Sequence, residues 1–230
     1  MLVRACKLKN FGDTLNSELI RLISGIVPTI VNNKFQNPNN ETIYMAIGSV
    51  LGWCDEFTEV WGSGFISNSQ FITSIPKAKK IHAVRGKLTR EILLKRGIEC
   101  PAVYGDPALL MPRFYNPELP KKYKLSVIPH HVDKVLIPEL KKQYPTAHFI
   151  DIQQDVYKFI DEVIQSEYII SSALHGLIMA DAYGVPNEWK EFSKKVLGHG
   201  FKFRDYESSK GLVDLDKLLE VCPFRRKDEE

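Results

Sequence analysis

Short apolar runs alternate with amphipathic stretches along most of this chain, the pattern left by strands and helices laid down in turn. Leu2–Leu8 is the first predicted strand and Asn10-Phe11-Gly12-Asp13 a turn. Thr14–Ser24 is a predicted helix, with Leu15, Leu19, Leu22 and Ile23 at helical spacing and Asp13 in place to cap it. The asparagine-rich stretch Asn32–Glu41, with Pro38, is a surface loop. Strands are then predicted at Thr42–Ile47, Thr58–Trp61, Lys80–Val84 and Ala102–Tyr104. Each ends in a glycine-containing turn: Gly48-Ser49, Gly62-Ser63-Gly64, Arg85-Gly86 and Gly105-Asp106-Pro107. A helix over Lys87–Arg96, stopped by Gly97, follows the third. A parallel sheet whose ligand edge runs along those turns accounts for the repetition.

Past Met111-Pro112 the periodicity lapses, and Arg113–Lys122, with Pro117 and Pro120, is predicted as a linker. A second α/β unit follows. Its strands are predicted at Lys124–Pro129, His148–Ile152, Tyr168–Ser171 and Asn187–Trp189, and its helices at Lys134–Lys142, Val156–Gln165, His175–Tyr183 and Val213–Val221. Pro138 blurs the start of the first of these helices. In the aromatic-rich run Phe201–Tyr206, an extended backbone would put Lys202 and Arg204 on one side. The expected architecture is α/β, two Rossmann-like lobes facing a cleft with mainly parallel sheets, divided into residues 1–115 and 116–230.

Composition narrows the class without changing that picture. Hydrophobic residues make up 44% of the 230 and charged residues 26%, ordinary values for a globular protein. A net charge of +3, without a basic stripe, argues against nucleic acid as a partner. The clusters Lys77–Lys80 and Lys121–Lys124 read as solvated loops, and mild basicity suits an anionic small substrate or an anionic membrane surface. Four scattered cysteines form neither a disulfide framework nor a zinc motif. No apolar run is long enough to span a bilayer, and Met1–Lys9 is too polar for a signal peptide. A cytoplasmic protein without a metal is the expectation.

The sharpest chemical candidate is His175, in Ser171-Ser172-Ala173-Leu174-His175-Gly176, directly after the apolar run Tyr168-Ile169-Ile170. Anions gather where a buried strand ends and a helix begins, and an imidazole there can hold one or deliver a proton. Gly12 lets the backbone approach a ligand, and Asp13 orients a hydroxyl, caps its helix, or both. Gly62-Ser63-Gly64 resembles a phosphate-cradling turn, although it lacks the lysine and hydroxyl of a P-loop and suits a tight turn equally. Arg85, closing an apolar strand, suits bidentate binding of a carboxylate or phosphate, with a salt bridge to a neighbouring helix as the alternative. His130-His131 end another strand near Asp133, one of the pair facing the cleft. Lys202 and Arg204 face either an anion or solvent.

The order of these motifs resembles that of the polysaccharide pyruvyl transferase family. The resemblance runs through Asn10-Phe11-Gly12-Asp13, Gly62-Ser63-Gly64-Phe65, Arg85-Gly86-x-x-Thr89, Gly105-Asp106-Pro107-Ala108, His130, Ser172-x-Leu174-His175-Gly176 and Ala180-x-x-x-Gly184-x-Pro186, from about Asn10 to Tyr206. It implies a fold similar to the two-lobed, GT-B-like glycosyltransferases. It also implies an enzyme that moves the pyruvyl group of phosphoenolpyruvate onto a sugar of a surface polysaccharide or oligosaccharide precursor, as a cyclic ketal, with release of phosphate. Phosphoenolpyruvate is then a co-substrate and no cofactor is needed. The acceptor is a sugar, lipid-linked or free, met in the cytoplasm or at the inner face of the membrane.

On this resemblance His175 and Asp13 are the expected catalytic residues. Asn10, Gly12, Gly64, Arg85, His130, Leu174, Lys202 and Arg204 are the expected substrate-binding ones. The phosphoenolpyruvate site is expected around His175 in the second lobe, with the acceptor side and part of the donor site in the first. Where the family often carries Arg-Leu-His, this chain has Ala173-Leu174-His175, so the absent arginine is expected to be replaced by Lys202, by Arg204 or by an unusual donor geometry. Two other activities fit the outline: a nucleotide-sugar glycosyltransferase, and a non-catalytic relative that binds a glycan.

Overall fold

A computed structural model describes residues 1–6, 10–68 and 77–226. Lys7 and Leu8, at the end of the first predicted strand, lie outside them. Contacts divide the chain into two compact units: Met1–Leu8, Gly12–Pro107 and Gly200–Glu230 in one, Lys9–Phe11 and Ala108–His199 in the other. Residues 108–115 thus stand with the second unit and 200–230 with the first, a division by contact rather than by chain order.

The first unit opens with β1 (Leu2–Arg4) and α1 (Phe11–Ser24), whose first residue is counted with the second unit. It continues through β2 (Thr29–Val31), β3 (Ile43–Met45), β4 (Thr58–Trp61), β5 (Lys80–Ala83) and α2 (Lys87–Lys95). The strands form one sheet in the order β2-β1-β3-β4-β5, every pairing parallel. Val3, Ile43, Met45, Val60 and Trp61 have no exposed surface, as strands covered on both faces require. Three-residue β2, exposed at Thr29 and buried only at Val31, is absent from the predicted set. The predicted strand Ala102–Tyr104 is reduced to one parallel bridge, Val84 to Tyr104.

The second unit holds β6 (Ser126–Ile128), α3 (Ile137–Gln143), β7 (His148–Phe149), α4 (Val156–Ile164), β8 (Ile169–Ser171), α5 (Leu174–Ala182) and β9 (Asn187–Trp189). Its sheet runs β7-β6-β8-β9, again wholly parallel. Where one helix over Lys134–Lys142 is predicted, a 3-10 turn over His131–Leu136 leads into α3. Pro138 sits in the first turn of α3, where its missing N–H costs nothing.

The chain then returns to the first unit with α6 (Phe201–Glu207) and α7 (Leu215–Glu220). Side chains explain the return. Trp61 donates its indole N–H to the Leu218 carbonyl at 2.7 Å, and the Phe224 ring meets those of Trp61 and Tyr44 edge-on. α6 corrects the extended reading of Phe201–Tyr206: on a helix, residues two apart point to different sides, so Lys202 is buried and Arg204 exposed. Among the described residues no helix is long and apolar enough to cross a membrane.

Candidate functional site

In the second sheet the chain leaves β6 for β7 on one side and returns to β8 on the other. A crevice opens at the carboxyl ends of such a strand pair, the usual ligand position in open α/β sheets. His130 follows β6 there, and Ser172, Leu174 and His175 follow β8. The Ser171 hydroxyl accepts the Ala173 N–H at 3.0 Å and lies within donating distance of the Ile128 and Ala173 carbonyls, turning the chain sharply into α5. Gly176 is required by that turn: a Cβ would lie 2.4 Å from the Ser171 hydroxyl. His175 is half-buried at the second position of α5, while Leu174 is buried.

Asp133, with no exposed surface, ties three strand ends together. It accepts from the Ser172 hydroxyl at 2.7 Å and from the Ser193 hydroxyl on the segment after β9. Ser172 in turn accepts the backbone N–H of His130 at 2.8 Å. The His130 and His131 rings lie 4.3 Å apart, centre to centre, and the His130 Nδ1 accepts the Val132 N–H at 3.4 Å. This chain of hydrogen bonds fixes the backbone of His130 at the end of β6.

The first sheet has the same kind of strand-order reversal, between β1 and β3. Its other chemical feature lies at the ends of β4 and β5, where Arg85 is fully buried. The guanidinium pairs with Asp205, Nε and Nη2 standing 3.0 and 2.9 Å from Oδ2, and Nη2 also donates to the Phe65 carbonyl at 2.7 Å. Asp205 further accepts the Thr89 N–H and hydroxyl, both at 2.7 Å. Arg85 therefore takes the salt-bridge arrangement rather than an open clamp, with a partner on α6. Gly64 and Gly86 follow from it. A Cβ on Gly64 would lie 2.6 Å from the guanidinium carbon, and one on Gly86 1.9 Å from the Asp205 carbonyl oxygen.

The remaining expected residues fall as follows. Asn10 is half-buried and counted with the second unit, where the next residue, Phe11, donates its N–H to Ile152 and stacks on Phe159. Gly12 is buried, and its carbonyl accepts from the Asn16 side chain. Asp13 is half-buried within the first turn of α1 and not its cap, because the helix starts two residues earlier. Lys202 lies over the Phe203 ring at 5.4 Å, and with Arg204 it belongs to the first unit, whereas Ala173 belongs to the second. Asp205 and Asn16 are contacts of the expected residues that the sequence reading leaves out, while Asp133 and Thr89 appear in it without these partners. Asp133, three residues from His130, carried a local signal.

Burial pushes the Cys54 thiol up to about 11, reinforced by the Asp55 charge, and pushes Cys100 and Cys222 up to about 12. Those thiols are poor nucleophiles at neutral pH. Among the described residues no three His, Cys, Asp or Glu side chains converge as a metal centre would require.

The polysaccharide pyruvyl transferase family model matches residues 60–187, from within β4 to the first residue of β9. An uncharacterised protein, L143, of Acanthamoeba polyphaga mimivirus is 30% identical over 221 residues, covering 93% of this chain and 75% of the relative. The succinoglycan biosynthesis protein ExoV of Rhizobium meliloti (strain 1021) is 31% identical over 213 residues, covering 89% of this chain and 62% of the relative. The chain thus spans less than two thirds of the length of ExoV.

Proposed function

The chain belongs to the polysaccharide pyruvyl transferase family, and on that premise we propose that it transfers the pyruvyl group of phosphoenolpyruvate to a sugar of a surface polysaccharide or oligosaccharide precursor. Similarity to a succinoglycan biosynthesis protein supports a polysaccharide acceptor, free or lipid-linked. A proton added to the methylene carbon of phosphoenolpyruvate makes C2 electrophilic. One sugar hydroxyl adds to C2 and gives up its proton, and a second displaces phosphate from the same carbon, its own proton leaving with the phosphate, closing the ketal. The reaction needs an acid, a base beside the hydroxyl and donors for the departing phosphate, but no cofactor beyond the co-substrate.

His175 serves as the acid or phosphate ligand, with His130 and Leu174 beside it. Asp13 orients the attacking hydroxyl and takes its proton. The observation that carries the reading is the convergence of His130, the amino end of α5 and His175 at the carboxyl ends of β6 and β8. The test is phosphate release from phosphoenolpyruvate in the presence of sugar acceptors. His175→Ala is expected to lower kcat by about 10²–10⁴-fold, the usual contribution of a general acid, with the melting temperature unchanged. Wild-type turnover in that variant rejects the role of His175. Thermal stabilisation of the wild-type protein by nucleotide sugars, and not by phosphoenolpyruvate, replaces the reading with a glycosyltransferase.

A further inference from the structure

The loop that leaves β3 stands beside β1 at the carboxyl edge of the first sheet, and no role has yet fallen to it. It is held rigidly. Asn16 donates to the Ile47 carbonyl at 2.9 Å and accepts the Ile47 N–H at 3.0 Å. The Gly48 carbonyl accepts from the Ser63 hydroxyl at 3.0 Å and from the Gly64 N–H at 3.1 Å. Gly48 takes a φ of +129°, a conformation that a side chain would resist. Behind the loop, Arg85 Nη1 donates to the half-buried Ser49 hydroxyl at 2.6 Å.

What distinguishes the loop is a surplus of donors. Among the described residues nothing accepts the Ser49 hydroxyl proton, and the backbone N–H groups of Gly48, Ser49 and Val50 donate to no protein group. A guanidinium has five N–H groups. The acceptors around Arg85 leave one Nη1 proton unmatched on a side chain with no exposed surface. Gly48 and Val50 are themselves buried, and buried donors without acceptors are rare in folded proteins. Asp205 sits at the Nε–Nη2 edge of Arg85, so the ion pair turns its positive end towards Ser49. A hydroxyl that accepts from a cation becomes a stronger donor, and successive backbone N–H groups form an anion-binding concavity. The Ser49 carbonyl is likewise uncommitted, but the free protons outnumber it: three backbone N–H groups, the Ser49 hydroxyl and one proton on Arg85 Nη1.

We propose that the Gly48–Val50 loop, with Ser49 backed by Arg85, is a subsite for a carboxylate or phosphate group of a substrate. The anion site stands on this geometry. Naming phosphoenolpyruvate as its source rests on the function proposed above, the other source being a phosphate group carried by the acceptor.

The test compares wild-type protein with Ser49→Asp, Ser49→Ala and Ser49→Thr, titrated calorimetrically with phosphoenolpyruvate, inorganic phosphate and inorganic pyrophosphate. Ser49→Asp places a carboxylate against Arg85 Nη1, so the fold is kept, as its melting temperature will report, while the anion is repelled. Its affinity for the bound probe is expected to fall by about 100-fold, and that of Ser49→Ala by about 10-fold, the range for hydrogen bonds to charged groups, with Ser49→Thr near wild type. Wild-type affinity in a folded Ser49→Asp protein overturns the proposal, as does a wild-type protein that binds none of the three probes. A loss confined to pyrophosphate upholds the subsite and assigns it to the acceptor. Phosphoenolpyruvate that binds through Ser49 but is never turned over sinks the proposed reaction and leaves the subsite standing.

Discussion

Arg85 and Asp205 both lie out of contact with solvent, where either charge alone would be expelled. Together they are tolerable because they pair with each other and Thr89, Phe65 and Ser49 supply most of the remaining hydrogen bonds, leaving one Nη1 proton over. Breaking such a pair leaves the surviving charge buried. Asp205→Asn is therefore expected to destabilise the protein by about 3–5 kcal/mol, the usual cost of a half-broken buried pair, measured by urea denaturation. Loss of less than about 1 kcal/mol, the level of an exposed pair, would show that water reaches the guanidinium. The same residues recast two glycines. Gly64 looks like a ligand-approach position and Gly86 like a turn residue in the sequence, but the space above both is filled by Arg85 and Asp205. Spacing alone does not reveal whether a glycine makes room for a substrate or for a neighbouring side chain.

At the scale of elements, α5 shows how closely a helix must seat for its first turn to meet a strand end. Gly176 lies on Ser171 and Ile128, with Cβ clearances of 2.4 and 3.2 Å. Gly176→Ala would have to lift the amino end of α5, and His175 and Leu174 with it. The expected result is a loss of about 1–3 kcal/mol in stability, typical of overpacking, together with a fall in kcat. A stable variant with normal kcat would mean that the α5 position does not set the geometry of His175. The helices also show which elements a pattern can announce. α4 has four buried apolar residues at helical spacing behind an Asp155 cap and is predicted to within a residue. α6, seven residues long, buries Lys202 and Asp205 as well as aromatic side chains, so its polar positions disguise the period.

For the molecule as a whole, ion-paired carboxylates are expected to set the acid limit, Asp55 and Glu59 in the first unit and Asp151 in the second. Burial opposes ionisation of Asp55, but hydrogen bonds from Thr58 and Arg4 and the Arg4 charge outweigh it and hold the carboxyl below its usual range. Glu59 is held low in the same way, against burial, by His82 and Lys79. A carboxyl whose folded pKa is depressed stabilises the fold fully above its unfolded value and loses that contribution as pH falls through the folded one. The melting temperature is thus expected to decline as pH drops below about 4, the ordinary carboxylate range, and Asp55→Asn should flatten the decline. An identical acid slope in the variant would place the acid limit elsewhere. The whole-molecule division also follows from contacts that span the chain. Trp61 and Leu218, or Arg85 and Asp205, bring Gly200–Glu230 back to the first unit.

The periodicity of apolar positions places nearly all strands and helices and predicts parallel sheets, while the family resemblance rests on the order of the glycine turns and histidines. These are local properties: side-chain alternation, caps and turn residues act within a few positions, so they are written in neighbouring residues. The partners of the buried charges are not. Asp205 stands 120 residues beyond Arg85, and Asp133 39 residues before Ser172, with nothing between to mark either pairing. Only the folded chain decides that Arg85 faces a carboxylate rather than open solvent, that Lys202 and Arg204 part company on a helix, and that the loop after β3 keeps its donors uncommitted. A buried charge is settled by whatever the tertiary packing places beside it, and that neighbour is chosen by the meeting of distant segments.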